Sequence, residues 1–233
     1  INLPLGFNRD PRQLTDGDLA SAKYEFSPDG RQLLLTLATR IYLLDTSVFT
    51  TASQRQDVTL TVNLLKKDWQ IEADKRLAAS LSHLPDGIEK VFSDNAKDIT
   101  FSPDENRILY TASGSATLTE DLVAKLPGSS TQPEERKIQD KSAYVYDIRE
   151  DKNFKISDSS ENIYWLPNSL NLIQAQEGGV DILDYDGTNR KSVFSGTYKF
   201  PHAYATTNAN RMLILTNFST GISPDNLYWV SLK

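Results

Sequence analysis

Apolar and polar positions along this chain fall into short strands that return in a fixed order. Tyr24-Glu25-Phe26 alternates, runs into Ser27-Pro28-Asp29-Gly30, and is followed by the apolar Leu33-Leu34-Leu35. The phrase returns as Ile99-Thr100-Phe101 with Ser102-Pro103-Asp104-Glu105 before Ile108-Leu109-Tyr110. It returns again as Ile163-Tyr164-Trp165 with Leu166-Pro167-Asn168-Ser169 before Leu172-Ile173. A fainter copy is Tyr204-Ala205 with Thr206-Thr207-Asn208-Ala209 before Met212-Leu213-Ile214. Alternation of this kind predicts β-strands, and the polar tetrapeptides predict tight hairpins. In the first turn proline pre-sets φ, aspartate tolerates the bridge region and glycine takes the left-handed position.

Each copy is followed by a third strand: Ile41–Asp45, Ala143–Asp147, Val180–Asp184 and Leu227–Ser231. Their near-continuous apolar character predicts strands covered on both faces. A weaker fourth strand follows three of them, at Val58–Thr61, Phe154–Ile156 and Ser192–Phe194; the last copy has none before Lys233. Ser27, Ser102, Leu166 and Thr206 are separated by steps of 75, 64 and 40 residues. The last step fits the period of about 40–45 residues of a four-stranded propeller blade, and the longer two require inserts.

The first insert, residues 63–97, is helical: Leu65, Trp69, Ala73, Leu77 and Leu81 recur every four residues. Pro85 stops that helix. Asp86 and Glu89 have capping-box spacing for a second one that carries Ile88, Val91 and Phe92, so a helical hairpin on the propeller's edge is expected. The second insert, residues 113–141, is polar and reads as a long surface loop with one helical turn near Thr119–Lys125. The fold expected is all-β: a propeller segment of about four four-stranded blades, with a helical hairpin between the first two. Arg12–Thr15 could close the ring through the final blade, or be the outer strand of a preceding one. The second is favoured, because the chain begins at Ile1 and reads as a piece of something longer.

Composition narrows the function classes. Over 233 residues the net charge is −6, and acidic residues interrupt the basic pairs at 66–67 and 75–76, which argues against nucleic-acid binding. There is no cysteine, which removes disulfides, thiol catalysis and cysteine-ligated zinc. No apolar run approaches the roughly 18 residues of a membrane span.

Few motifs offer chemistry. Asp184-Tyr185-Asp186-Gly187-Thr188-Asn189 reads first as an Asp-Gly hairpin turn and second as a calcium loop, although it lacks the distal glutamate of an EF-hand. The two histidines, His83 and His202, take structural or surface roles, and no Gly-x-Ser-x-Gly elbow accompanies them. Asp45, Asp147 and Asp184 end third strands, where turn bonding explains them; pointing into a central channel is the alternative. Trp69, Trp165 and Trp229 read first as core; the alternative, partial exposure where a partner could use the ring, falls to Trp69 before the other two. Gln132, Glu134, Glu135 and Arg136, in the second insert, complete the candidate partner-binding set. No catalytic, cofactor-binding or metal-binding residue is assigned.

The Ser-Pro-Asp-Gly turn, its apolar strand and the Ile-Tyr-Leu-Leu-Asp strand resemble the WD40-like repeats of TolB-type β-propellers. The runs Lys97–Asp104, Pro133–Arg136, Tyr144–Phe154 and Leu183–Asn189, with Asn226-Leu227-Tyr228, resemble the carboxy-terminal propeller of bacterial PEGA-domain proteins. That resemblance implies an extracytoplasmic location in a membrane-anchored parent and brings no established activity. The expected function is non-enzymatic binding or scaffolding, with a protein or a cell-surface polymer as partner. The alternative is a propeller that gates a peptidase or hosts a lyase or glycosidase on its channel face.

Overall fold

A computed structural model describes residues 13–19, 21–124, 128, 130–159, 162–206, 208–217 and 226–232, with the side chain of Asp86 left aside. The chain divides into two units, Ile1–Ser80 and Leu81–Lys233. The first holds β1 (Lys23–Phe26), β2 (Gln32–Leu37), β3 (Arg40–Asp45) and β4 (Gln56–Asp57), an antiparallel sheet in chain order, and nearly all of helix α1 (Val62–Leu81). The second opens with α2 (Asp86–Asn95). Its first sheet comprises β5 (Ala96–Phe101), β6 (Arg107–Ala112), β9 (Ala143–Asp147) and β10 (Lys152–Ser157); the ribbon β7 (Ala116–Thr117) and β8 (Lys137–Ile138) interrupts that sheet in sequence. A third sheet follows, with β11 (Ile163–Trp165), β12 (Asn171–Gln176), β13 (Gly179–Asp184) and β14 (Lys191–Ser195). Three described strands, β15 (Ala203–Ala205), β16 (Arg211–Thr216) and β17 (Asn226–Ser231), make the last.

The repeated turn is closed by side chains. Its third residue is Asp29, Asp104, Asn168 or Asn208, and each time the side-chain Oδ1 accepts the backbone N–H two residues on, at 3.0–3.2 Å. A hydroxyl at the first position reinforces this in three copies: Ser27 and Ser102 donate to the aspartate at 2.6 Å and Thr206 to Asn208 at 2.8 Å. The fourth residue is left-handed throughout, with φ of +70° at Gly30, +60° at Glu105, +61° at Ser169 and +53° at Ala209. The fourth copy therefore keeps the geometry although it lacks glycine; its Thr207 lies outside the described residues.

Only glycine occupies such a φ without cost. Glu105→Gly and Ala209→Gly are each expected to raise stability by about 0.5–1 kcal/mol, read by urea unfolding. Gly30→Ala, where an added Cβ meets nothing within 4 Å, should lose about 1 kcal/mol on conformational grounds alone.

The turn also predicts an acid response. Burial opposes ionisation of Asp104, but the Ser102 hydroxyl, Asn106 and Arg107 hold its pKa down, from an ordinary 3.8 to about 2. A depressed folded-state pKa adds stability above pH ~4 that is lost as pH falls through ~2. Asp104→Asn should flatten that stretch of the stability-against-pH curve, and an unchanged curve would count against the turn as its source.

Several expectations change in the structure. The first fourth strand is β4, ahead of Val58: the Ile41 N–H bonds to the Thr59 hydroxyl (2.9 Å), so a side chain ends the ladder. Of Arg12–Thr15, the described part makes one parallel bridge, Thr15 to Thr50 within the first unit. The first helix keeps its stripe, since Val62, Trp69 and Leu81 are buried. In the second, Pro85 takes the N-cap position without any side-chain cap bond, and Asp86 is already the first helical residue. No helical turn forms over residues 119–124, because Asp121 adopts φ +57° and the Leu122 N–H turns to Asp151 (2.7 Å).

Alternation decides the packing. On β6 and β9, Leu109, Ala143 and Val145 face the next sheet and meet Ile163, Leu172 and Leu183. Tyr110, Tyr144 and Tyr146 face the opposite way, where Phe92 of α2 lies 4.5 Å from Tyr110 and 6.0 Å from Tyr146, centroid to centroid. Ile173, Ala175 and Val180 of the third sheet pack against Ala203, Met212 and Ile214 of the last. In the second unit the sheets therefore stack face to face in chain order. In the first unit Leu34, Val58, Val62 and Trp69 form one core cluster and Leu33, Leu35 and Leu44 another.

Candidate functional site

The second insert is tied down at its base. Leu118 donates to the Arg136 carbonyl (2.9 Å) beside the β7–β8 ribbon, and the side chains of Leu118 and Ile138 are buried. Arg136 then turns inward. Its Nη1 donates to Asp151 Oδ1 (3.0 Å) and to the Thr119 carbonyl (2.7 Å), its Nη2 to the Asp151 carbonyl, and its Nε faces Glu134 Oε2 at 2.6 Å. Asp151 is 3% exposed and is further held by the Tyr146 hydroxyl (2.8 Å) and the Leu122 N–H (2.7 Å). Burial works against the Arg136 charge, but the hydrogen bond and charge of Asp151, with Glu134, outweigh it and raise the pKa. Burial, and then the bond to Asp151, push the Tyr146 phenol up as well.

The insert also covers the outer strand of its sheet. Glu135 donates to the Asn153 carbonyl and Asn153 Nδ2 returns a bond to the Glu135 carbonyl, each at 2.7 Å, while the Tyr110 hydroxyl donates to Asn153 Oδ1 (2.9 Å). Ser130 donates its N–H to Glu150 (2.8 Å) and accepts from Lys152. The Glu135–Asn153 bonds close one position of β10, the edge strand of its sheet, to pairing with another strand. Glu120, Asp121, Glu134, Glu150 and Lys152 rim a cleft of about 260 Å³ over Arg136.

The five sequence-selected residues thus separate. Gln132 and Glu134 are exposed and Glu135 is half-buried. Arg136, expected in a solvated loop, is instead a buried anchor. Trp69 lies in the first unit at 7% exposure, not part-exposed, with its indole N–H donating to Gln32 Oε1 (3.3 Å). The exposed tryptophan is Trp229, at 57%, on β17 under the Arg211 guanidinium (4.2 Å). Sequence reasoning passed over Asp151 and Asn153; the signal was the polar run Arg149–Asn153 just after a near-continuously apolar strand.

Other singled-out groups have local partners. Asp184 accepts from Asn171 and Asn189, both at 2.6 Å, and Asp186 from Thr188, around the Gly187 turn at φ +83°. Asp45 accepts from the Ser47 hydroxyl and N–H, which lower its pKa in that order. Asp147, 1% exposed, pairs with Arg107 Nε at 2.8 Å, and that guanidinium lies 3.9 Å from the Tyr185 ring centroid. His202 shares a 3.1 Å bond with the exposed Tyr204 hydroxyl, and His83 is exposed. Among the described residues no three His, Asp or Glu side chains are grouped to hold a metal ion, and no helix is long and apolar enough to cross a membrane.

A larger cleft, about 560 Å³, opens between β5 and β11 in the second unit. The Trp165 indole N–H spans from β11 to the Thr100 carbonyl on β5 (3.1 Å).

These features define a mostly β protein of small antiparallel sheets, stacked in the second unit as blades of a propeller are. No protein-family model matches the chain, and no curated protein matches it. Similar solved structures include a eukaryotic initiation factor (12% identity, TM-score 0.35, 90% of this chain and 39% of that one). They also include the hydrazine synthase of Kuenenia stuttgartiensis (12%, 0.34, 90% and 45%) and TolB from Acinetobacter baumannii (11%, 0.34, 90% and 42%). The chain spans less than half the length of each of these three.

Proposed function

We propose that this chain is a non-enzymatic binding or scaffolding module whose 113–141 insert presents the recognition surface to a protein or surface polymer. One observation carries the proposal: a buried guanidinium fixes the base of the insert while Gln132 and Glu134 stay exposed. A crest on a fixed base loses little conformational freedom on binding. The resemblance of its repeats to PEGA-protein propellers supports an extracytoplasmic setting in a membrane-anchored bacterial parent.

The test compares the intact chain with one whose residues 131–133, ahead of the Glu134 carboxylate that faces Arg136, are replaced by Gly-Ser-Gly, both as baits in a cell-envelope extract. Loss of specifically retained species, at unchanged thermal stability, is the expected result. An identical retained set would remove the insert from the recognition role.

A further inference from the structure

The cleft between β5 and β11 departs from the repeat in a way that the fold does not demand. First strands β1, β11 and β15 pair with their neighbours in unbroken register. In β5 the register shifts: Lys97 opposes Thr111 and Thr100 opposes Leu109, so Asp98 and Ile99 together face Tyr110. This is a β-bulge, and Asp98 within it has φ +52°. Among the first strands only β5 carries this bulge, which re-aims the Asp98 side chain relative to the repeat.

The bulge sets one carboxylate against apolar walls. Ile99, Leu109, Ala143, Ile163 and Trp165 line the cleft along with Asp98, and no Lys, Arg or His does. Asp98 is exposed and has no hydrogen-bond or ion-pair partner among the described residues. The Trp165 ring is fixed by its bond to Thr100. A volume of about 560 Å³ with mainly apolar walls and few polar groups suits a small ligand or a protruding side chain. An unpaired carboxylate beside an indole favours a cation over a neutral or anionic guest.

We propose that this cleft binds an ammonium group carried on an apolar body. The proposal does not depend on the role of the 113–141 insert. Calorimetric titration with hexylamine and hexanol, which match in shape but not in charge, tests it directly. Hexylamine should bind about tenfold more tightly than hexanol, and the difference should shrink in high salt. Asp98→Asn keeps the shape, because asparagine accepts a left-handed φ, and should abolish the preference. Equal binding of the two probes, no binding of hexylamine, or a preference that survives in Asp98→Asn would each overturn the proposal. A lysine peptide and its side-chain-acetylated form identify the source of the cation. A preference for the unmodified peptide assigns it to a partner polypeptide, whereas a preference confined to hexylamine assigns it to a free amine.

Discussion

Arg136→Ala should lower the unfolding free energy of the second unit by about 3–5 kcal/mol, the usual cost of leaving a buried charge without its partner. Asp151, 3% exposed, would keep only the Tyr146 hydroxyl and Leu122 N–H as donors. The Thr119 carbonyl would lose its donor too. Adding Asp151→Asn should recover part of the loss, because the amide carries no charge, its oxygen can accept from the Leu122 N–H, and its Nδ2 can donate to the Tyr146 hydroxyl oxygen. Urea unfolding of the two single variants and the double variant gives the coupling energy. Additive losses would mean that the ion pair does not hold the insert. Limited proteolysis within residues 113–141 should quicken in Arg136→Ala and slow again in the double variant.

Trp69→Ala is the second large effect, about 3–5 kcal/mol, as expected for deleting a buried indole. Trp69 packs with Leu34, Val58 and Val62 and bonds to Gln32. Amide hydrogen exchange should accelerate first in β2 and β3, where Leu34, Ile41 and Leu43 lose their cover. A loss under 1 kcal/mol would restore the partly exposed alternative read for Trp69 from the sequence. Trp229→Ala, at a position 57% exposed, serves as the contrast and should cost far less.

The two tryptophans show why part of the structure was legible and part was not. A strand's own residues tell which positions share a face, but not whether anything covers that face. Leu227–Ser231 reads like Ala143–Asp147, yet β9 is buried at every residue while β17 is exposed at Leu227 and Trp229. The difference is position: β9 lies between two paired strands and two packed layers, whereas β17 pairs only with β16 among the described strands. The helical stripe gave the right face of α1, and burial of Trp69 followed from the sheet beneath it. Turn geometry was legible because its bonds span two to five residues. Arg136 was not, because its partner Asp151 lies 15 residues away and becomes a neighbour only through the β9–β10 hairpin.

The chemistry of the recurring bend also bears on how such chains are found. Glycine stands at its fourth position once in four copies, and the hydroxyl at its first position three times, whereas an Asx side chain stands at the third every time. A pattern search weighted toward proline and glycine will miss blades in diverged relatives. One weighted toward aspartate or asparagine, followed four and five residues later by an apolar pair, should count them correctly.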